Sequence, residues 1–246
     1  MPEPLAYRLY RFLWHCLDWV YPPVCAGCGR TGKPWCDECY EKVTLIGTLL
    51  CPVCGRPQPK LQVCPNCQDF MPYYKALRSW AVYKDELRTA IHQLKYRGNM
   101  TLGQALATPI ITQLQELQWP IDVVTPVPLG LARLAERGYN QASLLAKPIA
   151  LHFQLPYQTH AIKRFRETQS QVGLSFASRK ENVAGAFMAD RLKIKGKRVL
   201  VIDDVTTSGS TMNACAMALC NAGAEEVYGF SLARAGLDDQ SGSVDV

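Results

Sequence analysis

Four Cys-x-x-Cys pairs fall between Cys25 and Cys67, and they restrict the fold of this chain more than any other feature. The pairs are Cys25 with Cys28, Cys36 with Cys39, Cys51 with Cys54, and Cys64 with Cys67. Two thiolates at this spacing form one tight knuckle that grips a cation from one side. Tetrahedral zinc takes four ligands, so two knuckles close one site and the eight thiols imply two sites. Closed four-thiolate coordination leaves no position for water, which makes the metal structural and not catalytic. Gly29 and Gly55 each follow a knuckle, where the turn favours a positive φ. The first two knuckles pairing together, then the last two, is the simplest topology; an interleaved arrangement satisfies the same spacing.

Nine of the eleven cysteines precede residue 70. Arg8, Arg11, His15 and Asp18 interrupt the apolar start of the chain, and no small-residue cleavage site follows it. The expectation is a cytoplasmic protein with reduced thiols, in which such knuckles hold metal and not disulfides. No run of about 20 uncharged apolar residues suits a membrane span. A net charge of +6 in 246 residues is compatible with phosphate-bearing ligands or nucleic acid and requires neither.

Residues 4–21 read as an amphipathic helix within a segment 1–22, ended by Pro22 and Pro23. Arg8, Arg11, His15 and Asp18 form its polar stripe, and Leu9, Phe12, Leu13, Trp14, Leu17 and Trp19 cover the rest. The expectation is that the apolar face packs on the protein's own body; a partner or a membrane surface is the alternative. The metal-binding segment occupies 23–72, and its sequential topology resembles a double zinc ribbon. Strands and helices then alternate: strands over 76–83, 121–127, 199–202 and 226–232, helices over 85–96, 101–118, 140–151 and 211–222. That alternation predicts an α/β fold, a mostly parallel sheet flanked by helices over 76–235. The polar tail 236–246 is expected to be disordered. Cys16, Cys215 and Cys220 lie outside the knuckles, and the last two read as core thiols of a small-residue helix. Arg191, Lys193, Lys195, Lys197 and Arg198 read as a solvated strand face, with a nucleic-acid contact as the alternative.

From Val199 a buried apolar strand runs into Asp203 and Asp204, then a turn of small and hydroxyl residues (Val205, Thr206, Thr207, Ser208, Gly209, Ser210), then a helix from Thr211. Backbone N–H groups at such a turn and helix N-terminus converge on one anion. Gly209 lets the backbone approach closely. Two acids beside a phosphate cradle make sense if the ligand also offers vicinal hydroxyls, so a sugar phosphate satisfies both halves. No Gly-Lys-Ser/Thr follows, so this is not a Walker loop.

Residues 199–211 resemble the phosphoribosyl pyrophosphate (PRPP) signature of type I phosphoribosyltransferases. The wider pattern resembles the ComF family, proteins associated with DNA uptake in natural transformation. The cysteine block carries that likeness, with Leu94-Lys95-Tyr96-Arg97-Gly98, Thr125-Pro126-Val127-Pro128-Leu129, Arg137-Gly138-Tyr139-Asn140-Gln141, Gln169 and Gln171, Arg179, Asn182, and Gly185-Ala186-Phe187. The resemblance implies a type I phosphoribosyltransferase-like domain behind a double zinc ribbon, and PRPP as ligand, bound with Mg2+ by residues 203–211. It implies a pyrophosphate contact from Arg133, Arg137 and Gly138, with Asp203, Asp204 and Arg137 at the reacting centre. Residues 163–182, with Lys163, Arg164, Arg166, Arg179 and Lys180, resemble the loop that closes over PRPP. Lys95, Tyr96 and Arg97 lie near the start of the domain, where the class carries the hood that selects an acceptor.

Two functional readings follow. In one the protein is a phosphoribosyltransferase that moves ribose 5-phosphate to an acceptor, although no side chain stands out as a general base. In the other it is a PRPP-responsive module whose ribbons and basic patches hold single-stranded DNA or DNA-uptake proteins. Trp35, Tyr40, Tyr73 and Tyr74 would stack bases in that case, or pack the small domain.

Overall fold

The computed structural model describes residues 3–20, 22–97, 99–165 and 185–237, for 14–20 and 100 by their backbone alone. Residues 238–246 of the expected tail, the glycine at 98, and Arg166, Gln169, Gln171, Arg179, Lys180 and Asn182 lie outside the described residues.

Four parallel strands form the main sheet: β1 (Ala76–Val82), β2 (Val123–Pro126), β5 (Arg198–Thr206) and β6 (Glu226–Arg234), in the order β1-β6-β5-β2. Parallel neighbours need crossovers, and helices supply them. The pair α4 (Asp85–Tyr96) and α5 (Met100–Leu117) leads from β1 to β2, and α9 (Ser210–Asn221) joins β5 to β6. Alternate residues of a strand point to opposite faces, and β5 shows the consequence. Leu200 and Ile202 enter a core with α4, α5 and α7 (Gln141–His152), while Val199 and Val201 enter a second core with α9. Short β3 (Ile162–Arg164) and β4 (Phe187–Ala189) pair antiparallel and pack on α9.

The cysteine block straddles the edge of this sheet. Short α2 (Asp37–Glu41) and α3 (Pro65–Asp69) carry the second knuckle of each pair. Cys25, Trp35 and Cys39 join the core beneath α4 and α5, and Cys51, Cys54, Cys64 and Cys67 join the core beneath α9. Between the two, the backbone follows β1. Val82 donates to the Thr44 carbonyl at 2.8 Å, Leu77 donates to Val53 at 2.7 Å, and Leu45 bridges Ala81. The unpaired edge that β1 would present is thereby occupied. Gly55, at φ +66°, fits its knuckle against this strand: a Cβ there would stand 2.3 Å from the Leu77 carbonyl oxygen.

Three expectations need correction. Strand β5 runs to Thr206, because its ladder with β6 continues through Asp203 opposite Ser231 and Thr206 opposite Arg234. Both acids therefore belong to the strand, not to the turn after it. The basic run from Arg191 begins in a short helix, α8 (Arg191–Ile194), because Asp190 caps it through the Leu192 N–H at 3.1 Å and Gly196 turns the chain away at φ +66°. Only Arg198 of that run lies in a strand, paired through both nitrogens of its fork with Asp122 at 2.8 and 2.9 Å. Finally, α1 (Leu5–Val20) docks through Tyr7, whose hydroxyl accepts from Gln104 at 3.0 Å, while Leu5, Leu9, Phe12 and Leu13 are exposed. Among the described residues no helix is long and apolar enough to cross a membrane.

Candidate functional site

The cysteines assort sequentially: Cys25, Cys28, Cys36 and Cys39 form one cluster, and Cys51, Cys54, Cys64 and Cys67 the other. Tetrahedral zinc with Zn–S bonds of about 2.3 Å holds its sulfurs about 3.8 Å apart. The sulfurs of Cys25 and Cys39 are 3.7 Å apart, those of Cys28 and Cys36 are 3.7 Å apart, and those of Cys54 and Cys64 are 3.6 Å apart. The donor sets therefore suit structural zinc. Burial works against the Cys25 thiolate, but N–H groups of Cys28, Cys36 and Gly27 outweigh it and hold that thiol down to about 6. Cys51 is held to about 7 in the same way, against its own burial, by N–H groups of Cys64, Cys54 and Val53. Cys215 lies wholly buried, its thiol pushed up by burial, as befits a core residue.

The second centre lies where β5 meets α9. Thr206 ends the strand, Thr207 and Ser208 turn, and Gly209 sits at φ +85° as the N-cap of α9, which no side chain caps at that position. Ser208 and Ser210 share a hydroxyl hydrogen bond of 2.8 Å, and the Ser210 N–H points weakly at Ser208 Oγ, 3.3 Å away. Tyr74 and Leu77 back the turn, at 3.1 and 3.3 Å from where a Gly209 Cβ would lie. A cavity of about 520 Å³ opens between this loop and the second metal cluster, walled by Ser208 and Ser210 on one side and Arg56, Phe70 and Tyr73 on the other.

Asp203 and Asp204 are both buried. The Asp204 N–H donates to Asp203 Oδ1 at 2.9 Å, and the Lys95 ammonium lies 2.6 Å from Asp204 Oδ2. Gln141 Nε2 approaches the other Asp204 oxygen at 3.4 Å. The two acids are pushed apart. Burial and the Asp204 charge raise Asp203 well above the usual carboxylate range. Burial also penalises the Asp204 charge, but Lys95, with Asp203 and Gln141, outweighs it and holds Asp204 below that range. Desolvation disfavours the Lys95 ammonium and Asp204 more than restores it, so its affinity for a proton is raised.

Arg137 approaches the same centre from α6 (Leu131–Arg137). Its Nη1 donates to Gln141 Oε1 at 3.0 Å, and its guanidinium lies 4.5 Å from the centre of the Tyr96 ring. Gly138 ends α6 at φ +76°, Tyr139 donates to the Leu94 carbonyl at 2.6 Å, and Asn140 caps α7 at Ala142 while donating to the Val127 carbonyl at 2.9 Å. The segments 94–97 and 137–141 thus interlock, and each sends one side chain to Asp204. Arg133 stands exposed on α6, and Lys163 and Arg164 lie in β3. Lys95 and Gln141 are the residues the sequence reading left without a role at the acid pair; both sit in motifs it singled out, but only the fold places them there. Trp35 and Tyr74 are buried, whereas Tyr40 and Tyr73 are half exposed.

Two family models match this chain, a double zinc ribbon domain over residues 16–68 and a phosphoribosyl transferase domain over residues 139–236. The DNA utilization protein YhgH of Escherichia coli is 32% identical over 81% of this chain and 89% of its own length. Competence protein F of Haemophilus influenzae is 29% identical over 86% and 90%, and competence protein ComFC of Bacillus subtilis 28% over 81% and 83%. The chain belongs to the ComF family. Among solved structures, a glutamine PRPP amidotransferase from Bacillus subtilis complexed with ADP and GMP aligns with 56% of this ComF chain and 26% of its own, at a TM-score of 0.35 and 27% identity. In this ComF protein the zinc ribbon model spans both cysteine clusters, and the transferase model runs from Tyr139 onward, including Gln141, both acids and the loop but neither Lys95 nor Arg137.

Proposed function

We propose that the centre at β5 and α9 binds PRPP, with the 5′-phosphate on the turn from Thr206 to Thr211 and the ribose hydroxyls on Asp203 and Asp204. The observation that carries this reading is the acid pair itself. Two adjacent carboxyls lie buried beside a helix start, Asp203 shifted up by burial and the Asp204 charge, Asp204 shifted down by Lys95 against its own burial. Carboxyls side by side offer hydrogen-bond partners to neighbouring hydroxyls on one sugar. A phosphate alone would leave the acid pair unused, and a sugar alone would leave the loop unused.

Arg137, fixed by Gln141 and Tyr96, would receive the pyrophosphate end in this reading, with Gly138 at the turn beside it. Arg133 is exposed one helical turn away and takes a peripheral part in this reading. Mg2+ carried by the pyrophosphate would neutralise departing negative charge. Transfer of ribose 5-phosphate to an acceptor follows if one enters beside the ribose, and the relatives' names in DNA utilization and competence support a role in DNA uptake. A second reading, a PRPP-responsive adaptor for single-stranded DNA or protein partners, is favoured by the cavity that the phosphate loop shares with the second ribbon.

Calorimetry with PRPP and Mg2+ tests the site: binding is expected in the parent protein and loss of it in Asp203→Ala and Asp204→Ala. Unchanged affinity in both variants would overturn the assignment. Pyrophosphate release over a panel of bases, nucleotides and DNA separates transfer from adaptor.

A further inference from the structure

A buried acid pair beside a phosphate site invites a divalent cation, because hard cations in such places take carboxylate oxygens. Here a side chain stands in that place. Lys95 reaches from the last turn of α4, with its ammonium 2.6 Å from Asp204 Oδ2 and its side chain largely buried. Gln141 takes the opposite oxygen and the Asp204 N–H takes Asp203 Oδ1. The charges that act most on Asp203 are Asp204 and Lys95; Tyr83 acts on Lys95, and Asp203 and Arg164 act on Cys215. Among the described residues, the groups of three or more metal-ligating side chains are the two cysteine clusters, so no third carboxylate or histidine completes a cation site at the pair.

We propose that Lys95 is a positioning residue that serves as the built-in cation of the acid pair, so that Asp203 and Asp204 are kept for sugar hydroxyls and do not themselves ligate metal. The inference rests on the PRPP reading for its purpose, but not for its geometry. Three consequences follow from the arrangement. Any Mg2+ that accompanies PRPP attaches through ligand oxygens and water. The pair is preorganised before ligand arrives, since its counter-ion is covalently attached to α4. A fixed ammonium also carries only one positive charge, so the site keeps a net balance that a neutral diol does not disturb.

The test uses Mn2+ as a spectroscopic probe, titrated into the zinc-loaded full chain without any sugar phosphate and read by electron paramagnetic resonance of the free ion. The parent protein and its Asp204→Asn variant are expected to give the same isotherm. Lys95→Met should gain one Mn2+ site that Lys95→Met with Asp204→Asn lacks, and Lys95→Arg should gain none. A parent site that Asp204→Asn abolishes would overturn the proposal, as would a folded Lys95→Met protein that gains no site. If Lys95→Met does not fold, the comparison of parent with Asp204→Asn decides alone. A parallel titration with ribose 5-phosphate in metal-free buffer should weaken by about tenfold or more in Lys95→Met, with partial rescue in Lys95→Arg. No binding of ribose 5-phosphate by the parent would count against the PRPP reading and leave the Mn2+ result standing.

Discussion

Replacing Gly55 with alanine separates two costs that usually travel together. The residue sits at φ +66°, and a left-handed backbone costs an L-residue roughly 1–2 kcal/mol. Its new Cβ would also fall 2.3 Å from the Leu77 carbonyl oxygen, a backbone atom that cannot swing aside. Relieving an overlap of that kind costs a further ~1–3 kcal/mol, because knuckle and strand must part. Gly29 provides the control: it follows the first knuckle at φ +77° with nothing within 4 Å of its own Cβ position. For a chain of this size about 1 kcal/mol lowers Tm by ~2–4 °C. Gly29→Ala should therefore lower Tm by about 2–8 °C, and Gly55→Ala by about 4–20 °C, with the larger shift in Gly55→Ala. Calorimetric melting in zinc-replete buffer measures both, and chelator-driven metal release should quicken more in Gly55→Ala. Equal shifts in the two variants would refute the contact between the second knuckle and β1.

Metal analysis of the purified chain should give about two zinc per molecule under the four-thiolate rule, and one or none would contradict the paired clusters. Ribose 5-phosphate should bind about tenfold more tightly than 2-deoxyribose 5-phosphate, since each lost hydroxyl leaves a buried carboxyl unpaired; equal affinities would remove the acids from ribose recognition. Arg137→Ala should weaken PRPP but leave ribose 5-phosphate within about twofold, the difference reporting the pyrophosphate contact; parallel losses on both ligands would count against it. Asp203 titrates well above its unfolded value in the folded chain, so the native state holds the extra proton. Stability should then fall as pH rises from about 4 toward the folded value, and Asp203→Asn should flatten that slope; melting series across this range with identical slopes would contradict the assignment.

The helix over 85–96 and the four knuckles were legible in the sequence because both rest on local rules, apolar spacing in one case and ligand spacing in the other; which knuckles pair was not, since an interleaved arrangement satisfies the same spacing and only the fold assorts them sequentially. The end of β5 was not. Val199 to Ile202 announce a strand by composition, but Asp203 to Thr206 remain in it only because β6 continues the ladder beside them. The short helix at Arg191 was hidden by its charges, whose alternation with Leu192 and Ile194 imitates a strand. The cap from Asp190 decides otherwise. Leu9, Phe12 and Leu13 mark an amphipathic helix, yet hydrophobicity alone does not say which side docks; the buried Tyr7 with its Gln104 partner does. At the candidate site the acids and the loop were readable as a string. Lys95 and Gln141 reach Asp204 from distant parts of the chain, and no spacing rule connects them.

The way the cysteine block follows β1 makes the two domains hard to separate. Residues 76–237 expressed alone would leave a long, apolar strand with its amides and carbonyls bare along one side, a ready template for another copy. The backbone of the cysteine block thus covers the side of β1 on which a second copy could pair. A descendant that shed its zinc would have to shield that strand by other means, such as a proline or an inward-facing charge, before its transferase-like half could stand alone in solution.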